Sequence, residues 1–339
     1  MRLKDVFISE LKKRGVERIG TRLKKVISAE DPIARMALYV ANGKVEVCKS
    51  DGGLQHSFTL DGHFTNLPPH AYVGRCMTEI LLSKEELTSH PFPYILVDCR
   101  FYDEHSEKER WKLELQVKQT LGIVREYMWD EKLIVTHNFG YGRFYPSAEQ
   151  FLREKRIDKV VLLDPNGEEL FDNTNAECFI IGGIVDKSGK KKGYTSRIAK
   201  ELEKEGIDVD SRRIELRGDV IGVPDRINHI AEIVLKVVLD GKGVEEAVKE
   251  VQPPLVAKWR LRKDLHERTV RVCAGGKTFR VVARSEFDYF REWLNIRKQD
   301  FYEVCREQRF FVVSGRVMER IKEGEWDERR RCFRLFKNR

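Results

Sequence analysis

The sequence predicts an α/β protein: a parallel sheet covered by helices on both faces, flanked at each end by a small basic α+β domain. Three observations carry this. Between residues 91 and 240, short apolar runs alternate with amphipathic helical patterns five times, the order in which strands and crossover helices build a parallel sheet. The runs PYILV (93–97), VVLL (160–163) and CFIIGGIV (178–185) are almost unbroken, as expected of strands buried on both faces. Charge is divided: residues 1–90 carry 14 Lys+Arg against 11 Asp+Glu and residues 255–339 carry 23 against 13, in a chain of net charge +8, so the middle is mildly acidic. Basic ends around an acidic centre suit a phosphate backbone held at the ends and chemistry done between them. A basic surface also serves solubility alone.

At 339 residues the chain is long enough for two or three domains, and we divide it at 1–88, 89–252 and 255–339. Residues 7–27 have helical apolar spacing with a basic opposite face. Residues 36–60 alternate apolar and polar around turns at Asn42-Gly43 and Asp51-Gly52-Gly53, predicting a β-hairpin or small sheet. His56, His63 and His70 recur every seven residues, but a strand, a turn and a Pro-rich loop do not hold them on one face, so no metal site is expected there.

The centre opens with the strand PYILVDCRF, ending in Asp98. A helix follows from Ser106 to Tyr127, with a Ser-x-x-Glu capping signal at Ser106 and Glu109. Next come the strand LIVTH (133–137), a helix from about Ser147, the strand and turn VVLLDPNG (160–167), the glycine-containing strand 178–185, a helix over 195–205, the strand RIELRG (213–218) and a helix from Pro224 to about Leu239. The short helix GVEEAVKEV leads to Gln252-Pro-Pro-Leu255, which reads as a domain boundary. Beyond it, aromatic residues interleave with arginines, a mixture that suits stacking on RNA bases or, for Phe279, Phe287, Phe290, Trp293 and Phe310, a small core.

No Walker loop, GxGxxG, GxSxG or HExxH is present. No apolar run reaches the length of a membrane span and the N-terminus lacks a secretory core, so a cytoplasmic protein is expected. Seven cysteines without a CxxC pair predict reduced thiols. Three strands end in acids, Asp98, Asp164 and Asp186. Asp186 follows Gly182-Gly183, where a ligand or another backbone can approach closely, and is followed by Lys187, Lys190, Lys191, Lys192 and Arg197. A carboxylate beside base suggests work on a polyanion: either a nuclease that gathers the acids around Mg²⁺, or a carboxylate acting on a nucleobase beside an organic cofactor. A buried strand followed by a solvated Lys-rich turn gives the same pattern, which also leaves a non-catalytic RNA-binding protein open.

Two blocks resemble a known family. Asp98-Cys99, Phe101, Ser106, Lys108-Glu109, Leu113, Gln116 and Arg125 keep the spacing of one strand-and-helix signature; FIIGGIVDK, RIELRG and Asn228, Ile230, Glu232 and Ile233 are similar to a closing strand and helix. Together, over about 91–240, they resemble the SPOUT-class methyltransferases, archaeal type, that use S-adenosylmethionine to methylate N1 of the purine at tRNA position 9. The resemblance implies a C-terminal trefoil knot, a monomer needing no protein partner, and a cofactor held bent by three loops. By that likeness the cofactor residues are Leu162, Asp164, Gly182, Gly183, Asp186, Lys187, Ser188, Gly189, Lys190, Leu216, Gly218, Val223 and Arg226, a side chain at 182 or 183 filling cofactor space. The three loops are implied to be residues 162–167, 182–190 and 216–226; Lys108, Gln116 and Arg125 are implied to contact tRNA, with Gln119 standing where the family often has a basic residue, and a usual short segment of the family is altered to Ile214-Glu215-Leu216. The catalytic candidates are Asp186 first, then Asp98 and Asp225. No metal is implied. Whether guanine, adenine or both are methylated, and in which tRNAs, is not written in the sequence.

Overall fold

The computed structural model describes residues 1–50, 57–187 and 189–335. Contacts divide the chain into two units, Met1–Arg213 with Arg226–Lys242, and Ile214–Asp225 with Gly243–Arg339.

The first unit begins with α1 (Leu3–Lys13), which ends before Gly15 at φ +71°, a left-handed conformation open to glycine. The continuous helix expected over 7–27 is therefore absent: Arg18–Thr21 is strand β1, with Ile19 buried, and only Lys24–Ile27 turns again as α2. Of the β-hairpin or small sheet expected over 36–60, the start is helix instead, because α3 spans Pro32–Ala41, and the first strand of that stretch begins at Glu46. Asp31 caps α3 by accepting the Ala34 N–H, and Pro32 occupies its first turn. Strands β2 (Glu46–Lys49), β3 (Ser57–Thr59), β4 (Phe64–Thr65), β5 (Ala71–Gly74) and β6 (Ile80–Leu82) join β1 in the order β4-β3-β1-β5-β2-β6, and α4 (Lys84–Thr88) follows. Thus β2 and β3, consecutive in sequence, do not pair. The Asp51-Gly52-Gly53 turn and His56 lie outside the described residues.

The central elements follow the predicted alternation: β7 (Tyr94–Asp98), α5 (Glu107–Tyr127), β8 (Leu133–Val135), β9 (Arg143–Phe144), α6 (Ala148–Lys155), β10 (Val160–Leu163), β11 (Glu169–Leu170), β12 (Cys178–Gly182), α7 (Tyr194–Lys204), β13 (Asp210–Arg213) and α8 (Ile227–Val238). Seven strands run β11-β13-β10-β12-β7-β8-β9, and every neighbouring pair is parallel. Leu96, Ile134, Leu162 and Ile180 share one buried cluster with Phe151 and Leu152 of α6 and Ile198 and Leu202 of α7. Alternation turns Phe179 and Ile181 to the other face, where α8 meets β12 and α5 packs on α8. The last strand lies earlier than RIELRG. Only Arg213 of that run is in β13, because the Leu216 N–H closes a turn on Asp219 and Arg217 and Gly218 take φ +49° and +73°.

In the second unit, α9 (Val244–Val251) and α10 (Pro254–Leu265) precede β14 (Val270–Ala274), β15 (Lys277–Ala283), α11 (Glu286–Arg291), α12 (Lys298–Glu307), β16 (Phe310–Val313), α13 (Gly315–Lys322), β17 (Trp326–Asp327) and β18 (Cys332–Arg334), with sheet order β16-β15-β14-β18-β17. Phe290, Trp293 and Phe310 are buried, as a core requires. The expectation of seven reduced thiols is corrected: Cys48 is bonded to Cys76 and Cys273 to Cys332, across separations of 28 and 59 residues that leave no local sequence signature. Among the described residues no helix is long and apolar enough to cross a membrane.

Candidate active site

In a parallel sheet the loops at the carboxyl ends of the strands form the natural ligand crevice. The central loop here is 183–193, between β12 and α7. Its first residue lies tight against β7: the Gly183 N–H donates to Asp98 O at 2.7 Å, and a Cβ at 183 would stand 2.6 Å from Cys99 Sγ and 2.9 Å from Asp98 O. The neighbouring strand by itself leaves no room for a side chain at 183. At Gly182 the atoms in the way are the Ile184, Thr195 and Ile198 side chains, the nearest 3.0 Å off.

Beyond Gly183 the described residues of the loop are tied down at four backbone N–H groups. The Val185 N–H donates to His105 Nε2 at 3.0 Å, so the other ring nitrogen, 2.9 Å from Phe101 O, carries the proton and donates to that carbonyl. The Lys187 N–H donates to Glu109 Oε1 at 3.0 Å. Asp186, exposed between them, accepts the Gly189 N–H on Oδ1 (2.8 Å) and the Lys191 N–H on Oδ2 (2.9 Å). Lys191 is no member of a basic rim: it is buried, its Nζ 2.9 Å from Glu109 Oε2. The Lys187 N–H and then the Lys191 ammonium hold the Glu109 carboxyl well below the usual carboxylate range. Lys187, Gly189 and Lys190 are exposed, and Ser188 lies outside the described residues.

The other candidates have definite places. Asp98, 1% exposed, accepts from the Arg100 N–H and from its guanidinium at 2.6 Å, and Arg100 also binds Glu149 and Glu201. Next to it, burial pushes the Cys99 thiol up from its ordinary value. Leu162 is core, and Asp164 anchors its own turn through the Asn166 N–H and the Ser196 hydroxyl, the latter at 2.6 Å. The three strand-end acids therefore each have their own partners. Among the described residues no group of three or more His, Cys, Asp or Glu is arranged to hold a metal. Gln116 Oε1 accepts the Ile227 N–H that opens α8, Arg125 makes a two-point pair with Asp130, and Lys108 is exposed. A cleft lined by Arg100, Glu149, Arg153 and Glu201 contains none of the sequence-predicted site residues.

Leu216, Gly218, Val223 and Asp225 belong to the second unit, and Arg226 to the first. Within the second unit the buried Arg260 guanidinium donates to Leu216 O (2.6 Å), Ile221 O (2.8 Å) and Arg217 O (3.2 Å), while Gln252 Nε2 donates to Gly222 O. Sequence reasoning missed His105 and Arg260, read Lys191 as one of the basic residues around Asp186, and saw in Glu109 a helix cap and a member of the strand-and-helix signature. Its capping box is present, but the further partners lie 78 and 82 residues away.

An exposed carboxylate on the 183–193 loop fits the charge of a cationic cofactor. Loops 164–167 and 183–193 leave adjacent strands β10 and β12, paired at Leu163 and Ile181. A Cβ at Gly189 would meet nothing within 4 Å, and an exposed carboxylate sits beside it.

Fold and loop define an α/β protein with a seven-stranded parallel sheet and a carboxylate-bearing loop at the C-terminal end of its central strand. A family model described as tRNA (guanine(9)-/adenine(9)-N1)-methyltransferase N domain matches residues 4–90, and its C-domain counterpart matches 258–325. A relative from Thermococcus kodakarensis, described as tRNA (guanine(9)-/adenine(9)-N1)-methyltransferase, is 40% identical over 325 residues, 90% of this chain and 88% of the relative. The crystal structure of a dual-specific Trm10 from the same organism superposes with TM-score 0.60 at 30% identity, covering 72% of this chain and 98% of that one. Trm10 of Sulfolobus acidocaldarius, solved in complex with S-adenosylhomocysteine, shares the fold with TM-score 0.63 at 22% identity, covering 91% of this chain and 99% of the other. The chain belongs to the tRNA (guanine(9)-/adenine(9)-N1)-methyltransferase family.

Proposed function

We propose that this protein transfers a methyl group from S-adenosylmethionine to N1 of the purine at position 9 of tRNA. The observation that carries the reading is the exposed carboxylate of Asp186, fixed by its own loop at the C-terminal end of the central strand β12. When bound, the cofactor supplies an electrophilic methyl group. The chain supplies position and charge. The Gly189 and Lys191 N–H groups, donating to its two oxygens, orient the Asp186 carboxylate. Guanine carries a proton on N1 near neutral pH, and in this reading Asp186 accepts it, directly or through water. Adenine N1 already presents a lone pair; there the same carboxylate favours the cationic product electrostatically. Asp98, neutralised by Arg100, is the weaker second candidate, as is the exposed Asp225. One nucleotide must leave the tRNA core for transfer, so shape and phosphate contacts dominate binding, and we assign these to Lys108 and the basic segments 1–88 and 255–339. We further propose that 89–252 is the catalytic domain, that it is knotted, and that the protein acts as a cytoplasmic monomer; a sedimentation mass near twice 39.7 kDa would contradict the last.

The test is incubation with unmodified tRNA and methyl-labelled S-adenosylmethionine without added metal, then digestion to nucleosides. Label is expected in N1-methylguanosine or N1-methyladenosine. Intact, unlabelled, bound tRNA would favour a binding protein. Asp186→Asn is expected to slow guanine methylation more than adenine methylation; equal rates at every pH would remove its role as base.

A further inference from the structure

Asp186 is held from both sides by groups outside its own loop. The N–H before it, of Val185, goes to His105, and the N–H after it, of Lys187, goes to Glu109. Lys191 closes the arrangement, its N–H orienting Asp186 Oδ2 at 2.9 Å and its ammonium bound to Glu109 Oε2 at 2.9 Å. Glu109 is 5% exposed and Lys191 8%. A solvated helix start needs only the Ser106–Glu109 capping box. Burying an ion pair beside it costs desolvation that a surface contact avoids. What the pair adds is a fixed distance between α5 and the Asp186 loop.

We infer that Glu109 is a positioning residue for methyl transfer: with Lys191 it clamps the Asp186 loop onto the first turn of α5, so that Asp186 meets the purine in one orientation. The inference rests on the methyltransferase reading above. Asp186 touches the substrate, and Glu109 acts only through it. A misplacement of about 1 Å at a reacting group costs on the order of 100-fold in rate, so loosening the clamp lowers kcat while leaving the phosphate contacts that dominate tRNA affinity.

The experiment compares Glu109→Gln, Lys191→Met, Asp186→Asn and the two double variants with wild type, at a temperature where circular dichroism shows each folded. It reads kcat and KM for unmodified tRNA bearing guanine at position 9. Glu109→Gln and Lys191→Met are expected to lower kcat about 10- to 100-fold with KM for tRNA within about twofold. Each combined with Asp186→Asn is expected to be no slower than Asp186→Asn alone, because a residue that acts through Asp186 has nothing left to position. Unchanged kcat in both clamp variants, or double variants slower by the product of the single effects, overturns the inference. Should Glu109→Gln not fold, Lys191→Met carries the test, since it leaves Glu109 its bonds to Ser106 and Lys187. Failure of the underlying reading looks different: wild type itself transfers no methyl group.

Discussion

At the scale of single residues, the site depends on what a side chain would strike. A methyl group added at Gly183 meets backbone, Asp98 O and Cys99 Cα, which cannot swing aside; at Gly182 it meets the ends of flexible side chains. Gly183→Ala is expected to cost about 1–3 kcal/mol in overpacking, and Gly182→Ala under about 1 kcal/mol. Urea midpoints of the two variants check this, and a Gly183→Ala protein as stable as wild type would contradict the close approach. Loss of function in Gly183→Ala therefore reports packing before cofactor binding. The glycine pair was legible as a close approach because only glycine allows one, but the identity of the neighbour was not, since β7 lies about eighty residues upstream. Gln116 shows the same limit. Its spacing fits a helix surface, and its side-chain oxygen accepts the N–H that opens α8.

At the scale of elements, the strongly patterned pieces were readable. The capping box at Ser106 and the unbroken runs in β7, β10 and β12 form where local propensity and burial agree. The misplaced pieces are those where a backbone feature overrode the pattern: Gly15 ends α1 inside an apparently continuous helix, and the left-handed Arg217 and Gly218 end the run RIELRG. Another tertiary effect is at Lys132, just before β8. Its ammonium donates to Phe92 O at 2.6 Å and lies 3.9 Å from the centre of the Tyr94 ring, and burial lowers its pKa from 10.5 to about 8. Between those values the unfolded chain keeps a proton that the folded one releases, so this group makes stability rise with pH across the window, by up to about 3 kcal/mol. Relative to wild type, Lys132→Met is expected to lose that rise when unfolding is measured at pH 7, 8.5 and 10. Parallel curves for the two proteins would contradict it.

At the scale of the whole molecule, the division of the chain departs from its linear order. Ile214–Asp225 belongs with the C-terminal unit, where Arg260 supplies donors to three of its carbonyls. No local pattern announces a partner 44 residues away. The two disulfides were equally hidden; they staple β2 to the loop after β5, and β14 to β18. Such cross-links restrict the unfolded chain. In denaturant, three titratable thiols are expected without reductant and seven with it, accompanied by a lower melting temperature; seven in both states would contradict the pairing. The central claim is that one carboxylate-bearing loop directs methyl transfer to a purine at one tRNA position. Its most direct test uses three transcripts identical except for guanine, adenine or cytosine at position 9, each incubated with methyl-labelled S-adenosylmethionine. Label in one or both purine transcripts and none in the cytosine transcript is predicted; equal label in all three, or none in any, would contradict it.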